Sequence, residues 1–201
     1  MIDILLAGVG GQGTVLAAKL LASAAASKGW KVRTAETIGM AQRGGSVTSH
    51  VRMGCQGEAV FAPLLTPGTA DLIVAFEPAE AARALPYLAP DGLLVTASSA
   101  LQPVTAALSA QPYTAIAVLD DVRAALASQA PEAAFLVVEE VPILEKVGAS
   151  RALNVVLLAS ALAQGRVPLS IEELKEAVSA CVKPRFVAMN LEAIDLACVS
   201  E

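Results

Sequence analysis

Apolar and polar positions along this chain switch between two periods. Ile2-Asp3-Ile4-Leu5-Leu6-Ala7 is a nearly continuous apolar run of strand length, and Thr14-Val15-Leu16-Ala17-Ala18-Lys19-Leu20-Leu21 begins a helical pattern that reaches a stop signal at Lys28-Gly29. Lys31 to Ala35 reads as a second strand, so the strand–helix–strand opening predicts a sheet that begins parallel. Val47 to Arg52 alternates at period two, and Glu58 to Ala62 follows it across Gly54-Cys55-Gln56-Gly57. Those two segments predict a β-hairpin.

Beyond the turn at Thr66-Pro67-Gly68, Ala70 to Phe76 has the unbroken apolar character of a buried strand, and Pro78 suits the first turn of a helix over Ala79 to Leu88. Pro90-Asp91-Gly92 turns the chain into a strand at Leu93 to Thr96. Further strands are predicted at Ala115 to Val118 and Phe135 to Val138, with a helix over Asp121 to Ser128 between them. The last third is helical: Ala152 to Ala163 closed by Gly165, then a capping box at Ser170-Ile171-Glu172-Glu173 opening a helix to about Cys181, then Arg185 to about Cys198. The resulting class is α/β, a Rossmann-like, mostly parallel sheet flanked by helices, with an inserted β-hairpin and a helical C-terminal third. Residues 1–201 are expected to form a single domain, the helical part from about 150 to 201 packing on the sheet.

Composition sharpens this picture. Hydrophobic residues make up 55% of the chain and charged residues 16%, with mean hydropathy +0.61, so part of the surface is expected to be buried against another subunit. The best membrane candidate, Ala152 to Ala163, is shorter than a span requires and contains Asn154 and Ser160. Met1-Ile2-Asp3 leads straight into the first strand with no basic region and cleavage site, which predicts a cytoplasmic protein. A net charge of −5, no basic cluster and 3% aromatic residues count against nucleic acid as a partner. Cys55, Cys181 and Cys198 form no C-x-x-C pair, so zinc and iron–sulfur ligand sets are absent and no metal site is predicted.

Two glycine-rich segments carry the candidate chemistry. Gly8-Val9-Gly10-Gly11-Gln12-Gly13 stands between the first strand and the first helix, where free main-chain amides and a helix start favour negative charge or close approach of another chain. Gly8, Gly10 and Gly13 satisfy the dinucleotide spacing, and Glu36 stands where an acid could bind ribose hydroxyls. Gln12, a polar insertion between glycines, counts against that reading, as does the stretch that Glu36 opens. The second segment, Ile38-Gly39-Met40-Ala41-Gln42-Arg43-Gly44-Gly45-Ser46, holds an arginine suited to a carboxylate or phosphate and glycines that admit a ligand or neighbouring chain.

No catalytic set is recognisable. His50, the only histidine, shares a strand face with Thr48 and Arg52 without a nucleophile, and is read as a polar-face residue near an interface. Glu77 and Glu80 are read as helix-start carboxylates, Arg151, Asn154, Lys183 and Arg185 as helix-end residues, and the cysteines as apolar fillers.

Taken together, Gly8 to Gly13, the Ala41-Gln42-Arg43-Gly44-Gly45-Ser46-Val47 run continuing into Ser49-His50-Val51-Arg52, Ala70-Asp71-Leu72-Ile73 and Glu77-Pro78-Ala79-Glu80-Ala81 resemble the gamma-type subunit of 2-oxoacid:ferredoxin oxidoreductases. Within that family the likeness is to the small, beta-type subunit of indolepyruvate ferredoxin oxidoreductases. The resemblance implies a complex that oxidatively decarboxylates a 2-oxoacid with coenzyme A, giving an acyl-CoA, carbon dioxide and reduced ferredoxin. Thiamine diphosphate, Mg2+ and [4Fe-4S] clusters would belong to a large partner subunit, because this chain has neither a Gly-Asp-Gly motif nor cluster cysteines. Gly8, Gly10, Gly11, Gln12, Gly13, Arg43, Gly44 and Gly45 would then face coenzyme A or the subunit interface. The alternatives are a free-standing Rossmann-type oxidoreductase binding NAD or FAD through Gly8, Gly10, Gly13 and Glu36, and a non-catalytic scaffold of the same fold.

Overall fold

The computed structural model describes residues 1–39, 45–100 and 114–199. Six strands form one sheet: β1 (Ile2–Val9), β2 (Lys31–Ile38), β3 (Ser46–Gly54), β4 (Ala70–Ala75), β5 (Leu88–Ala97) and β6 (Ala134–Val138), in the order β2-β3-β1-β4-β5-β6. Strands β1, β4, β5 and β6 pair parallel, whereas β3 is antiparallel to both β1 and β2. The helices are α1 (Thr14–Ser27), α2 (Pro78–Ala84), α3 (Ala115–Gln129), α4 (Glu140–Val147), α5 (Leu153–Ala163), α6 (Ile171–Cys181) and α7 (Pro184–Val199).

Alternation along the strands sends side chains to two unequal layers. Ile4, Leu6, Val51, Met53, Leu72, Val74, Leu93 and Val95 enter the larger core with α1 and α4 to α7. Leu5, Ala7, Ile73, Ala75 and Leu94 pack under α2 and α3. Helix α1 buries Thr14, Ala17, Ala18, Leu21, Ala24 and Ala25, an i, i+3, i+4 stripe whose small side chains let it lie close to the sheet. Helix α5 is buried at every position from Asn154 to Leu162, so the most apolar stretch of the chain is a core helix jacketed by its neighbours. Among the described residues no helix is long and apolar enough to cross a membrane.

Four expectations need correction. The antiparallel partner of β3 is β2, with Ile38 opposite Val47, and Glu58 to Ala62 forms no strand. The Glu58 carboxylate accepts from the Met1 amino group and from Gln56 N, which turns the chain aside. Residues 58–65 then cross the sheet as a strap whose polar groups meet side chains: Arg33 Nε donates to Val60 O, Arg52 Nη1 to Ala62 O, and Leu65 N to His50 Nδ1. Strands β1 and β2 do run the same way, but β3 is wedged between them, so the sheet does not begin with a parallel pair. The segment Ala115 to Val118 is the first turn of α3, because the Thr114 hydroxyl accepts from Ala117 N and caps a helix there. Helix α4 was absent from the sequence reading because Pro142 sits inside its first turn, a position proline tolerates. The capping box at Ser170 and Glu173 has both of its predicted bonds.

Candidate functional site

The carboxyl ends of β1, β4, β5 and β6 lie along one edge, and the connection after β1 leads away from the side on which β4 lies. In wound α/β sheets such a divergence opens a crevice. Gln12 occupies the gap between β1 and β4: its Oε1 accepts from Val9 N at 2.7 Å and its Nε2 donates to Phe76 O at 3.1 Å. The residue that looked like a misfit in a dinucleotide fingerprint therefore ties two strand ends together.

The glycines divide by task. A Cβ on Gly8 would fall 2.7 Å from Phe76 Cδ2 and 2.8 Å from Thr14 Cγ2, so this glycine permits strand, ring and helix to meet. Gly13 has φ 91° at the α1 N-cap, and a Cβ there would lie 3.0 Å from Asn154 Nδ2. Gly10 and Gly11 are open, and Gly10 N donates to Gly45 O at 3.0 Å, joining the two glycine segments through their main chains. Arg43 and Gly44 lie outside the described residues.

A cleft of about 430 Å3 opens on this edge, walled by Gly10, Gly11, Gln12, Phe76, Ser99 and Glu140 and, across it, by Leu144, Ser150 and Arg151. The buried Glu140 carboxylate closes the end of β5, accepting from Ser98 N at 2.8 Å, Ser98 Oγ at 3.1 Å, Ser99 N at 3.2 Å and the Ser99 hydroxyl. An internal anion thus saturates the turn amides that would otherwise receive a ligand's oxygen atoms. Arg151 stands opposite, exposed, with no salt bridge among the described residues. Sequence reasoning read Arg151 as a helix end and passed over Glu140; Ser98-Ser99 at the close of an apolar run was the available signal for the latter.

Other predicted residues fall elsewhere. Glu77 caps α2 by accepting from Glu80 N, while Glu80 receives the Ser46 hydroxyl at 2.6 Å and pairs with Arg83. Both therefore hold the fold, as expected. Glu36 is exposed on the edge strand β2, with β3 between it and β1, so two strand spacings, about 10 Å, separate its strand from the glycine turn. That placement removes the acid a dinucleotide site would need beside β1. His50 is buried beneath the strap, edge-on to Tyr87 with ring centroids 5.9 Å apart, and burial pushes its pKa down; it is not an interface residue of this edge. All three cysteines are half-buried, and Cys181 and Cys198 pack against the larger core as apolar fillers.

Among the described residues no cluster of three or more His, Cys, Asp or Glu side chains is arranged to hold a metal ion. The cleft is of ligand size, and exposed glycine backbone facing Arg151 suits an anionic, chain-like ligand or a partner's main chain.

Residues 3–199 match the family model for pyruvate ferredoxin/flavodoxin oxidoreductase. Indolepyruvate oxidoreductase subunit IorB of Pyrococcus horikoshii is 35% identical over 194 residues, 96% of this chain and 93% of that protein. The gamma subunit of a keto/oxoacid ferredoxin oxidoreductase from Geobacter sulfurreducens has the same fold with TM-score 0.69, 21% identity, and coverage of 99% of this chain and 97% of its own. The 2-oxoglutarate:ferredoxin oxidoreductase of Magnetococcus marinus, solved with 2-oxoglutarate, coenzyme A and succinyl-CoA bound, contains the fold with TM-score 0.70 and 20% identity; it covers all of this chain but only 31% of that longer one. Sequence likeness along nearly the full length places this chain in the pyruvate ferredoxin/flavodoxin oxidoreductase family.

Proposed function

We propose that this chain is the small subunit of a 2-oxoacid:ferredoxin oxidoreductase acting on indolepyruvate or another aryl pyruvate. Its glycine segments meet the larger subunit where coenzyme A is used. One observation carries the reading: the Gly10–Gly45 main-chain bond and the Gln12 bridge make a rigid, side-chain-poor edge. Such an edge suits close approach by another chain or a ligand. The coenzyme A complex of the Magnetococcus protein supports the same choice of ligand.

In this reading the larger subunit holds thiamine diphosphate, Mg2+ and the [4Fe-4S] clusters, which supply carbanion stabilisation and electron transfer to ferredoxin. This chain contributes orientation and exclusion of water: Gly10 and Gly11 admit the neighbour, Arg43 and Arg151 attract anions, and Gly44 and Gly45 shape the second loop. The order of strands, with β3 between β1 and β2, counts against the free-standing NAD or FAD enzyme.

The test is to purify this chain alone, the organism's large thiamine- and cluster-carrying polypeptide alone, and the two together. Indolepyruvate- and coenzyme A-dependent reduction of ferredoxin should require both. Turnover by this chain alone, or tight NAD(H) binding to it, overturns the reading. Association that leaves the larger chain's rate unchanged assigns a scaffold instead.

A further inference from the structure

A second cavity, of about 540 Å3, lies beside the strand-end cleft and shares two wall residues with it, Ser150 and Arg151. Its floor is apolar, formed by Leu16 of α1, Val182 before α7, and Phe186 and Met189 of α7. None of its lining residues is acidic. One lining residue is cationic, Arg151, which carries no salt bridge among the described residues; Arg185, over the ring of the lining Phe186 at 4.6 Å, and the exposed Lys183, next to the lining Val182 before α7, adjoin the wall in sequence. The amino end of that 16-residue helix adds partial positive charge on the same side. In a chain of net charge −5, an apolar groove lined by Arg151, with Lys183 and Arg185 next to its lining residues Val182 and Phe186, selects for apolar groups flanked by carboxylates. One exposed apolar side chain stands on the wall of the first cleft: Val141, 41% exposed.

Resting on the function proposed above, we infer that this groove receives a segment of the larger subunit in which an apolar side chain is flanked by acidic residues. The apolar side chain fills the space between Leu16, Phe186 and Met189, while its carboxylates meet Arg151, Lys183 and Arg185. Continuity of the two cavities at Ser150 and Arg151 makes one docking strip from the glycine turn to α7.

The experiment measures the dissociation constant between this chain and the larger subunit at low and high salt. Wild type is compared with Arg185→Glu, which is exposed, and with Met189→Glu, each checked for an unchanged melting temperature. The docking strip predicts at least a tenfold weakening for each folded variant and a shallower salt dependence for Arg185→Glu. A wild-type pair that associates while both variants bind equally well overturns the groove assignment and leaves the subunit reading standing. A wild-type pair that never associates overturns the subunit reading itself. If partner affinity is unchanged but the isolated chain's binding of indole-3-acetate is lost in Met189→Glu, the groove is a small-molecule site and the inference falls.

Discussion

The two ends of the same sheet handle polar groups in opposite ways. At the amino end, charges are matched within the chain: Asp3 pairs with Arg52 at 2.9 Å, Asp71 accepts from Asp3 N at 2.7 Å, and the Met1 amino group meets Glu58. Burial, with the neighbouring Asp3 charge, raises the Asp71 pKa despite that main-chain bond. At the carboxyl end, Gln12, Glu77 and Glu140 saturate individual turn amides, while the main chain of Gly10 and Gly11 and the guanidinium of Arg151 stay open to a cleft. The amino end is closed for stability. The carboxyl end is held rigid but left open for contact, and that separation makes it possible to alter one property without the other.

The largest effect is expected at Glu140. Truncation to alanine strands two main-chain amides and two hydroxyls of Ser98 and Ser99 beside the cleft, and bonds to a charged acceptor contribute about 1.5–3 kcal/mol each. Glu140→Ala should lower unfolding free energy by about 3 kcal/mol in urea titration, with Glu140→Gln recovering part of it. A loss no greater than that of an ordinary surface change would mean that the strand end is not braced by this carboxylate, and the contrast between the two ends would dissolve.

Gln12→Ala and Asp3→Asn sharpen the contrast as a pair. Each removes bonds that join neighbouring strands and should cost about 1–2 kcal/mol of stability. Only the first touches the edge assigned to the partner. Affinity for the larger subunit should fall about tenfold in Gln12→Ala, roughly 1.4 kcal/mol, and stay within twofold in Asp3→Asn. Equal losses of affinity in both would show that the partner reads overall stability rather than the glycine edge.

Much of the fold was legible because local signals agreed with tertiary ones. The apolar runs of β1 and β4, the Lys28-Gly29 stop and the Ser170 box each had one physical solution. The hairpin assignment failed because period two at Val47 to Arg52 identifies a strand but not its partner; the deciding forces, the Glu58 carboxylate on the Met1 amine and the side-chain donors to Val60 and Ala62, act across the chain. The first turn of α3 was lost in a four-residue apolar run, for which strand and helix periods are indistinguishable. At the site, the glycines announced themselves by spacing, while Glu140 and Arg151 lie far from them in sequence and join them only through β6 and the turn before α5.

The smallest expected effect concerns His50, which lies midway along β3 beneath the strap and belongs to neither end. Its Nδ1 accepts from Leu65 N at 3.3 Å, so the neutral form fits and a proton on that nitrogen would face another N–H. Burial lowers its pKa below the ordinary 6.5, so the native state binds fewer protons than the unfolded chain as pH falls through 6.5, and stability declines toward the depressed native value. One proton bounds the loss at pH 6 to less than about 1 kcal/mol. Urea titrations from pH 7.5 to 5.5 should show a downward slope in wild type that is absent from His50→Gln, with other groups contributing equally to both. If wild type and variant instead show the same slope, the imidazole is solvated and the strap is not a closing element. Residues 58–65 would then have to be counted with the open, contact-making part of the molecule.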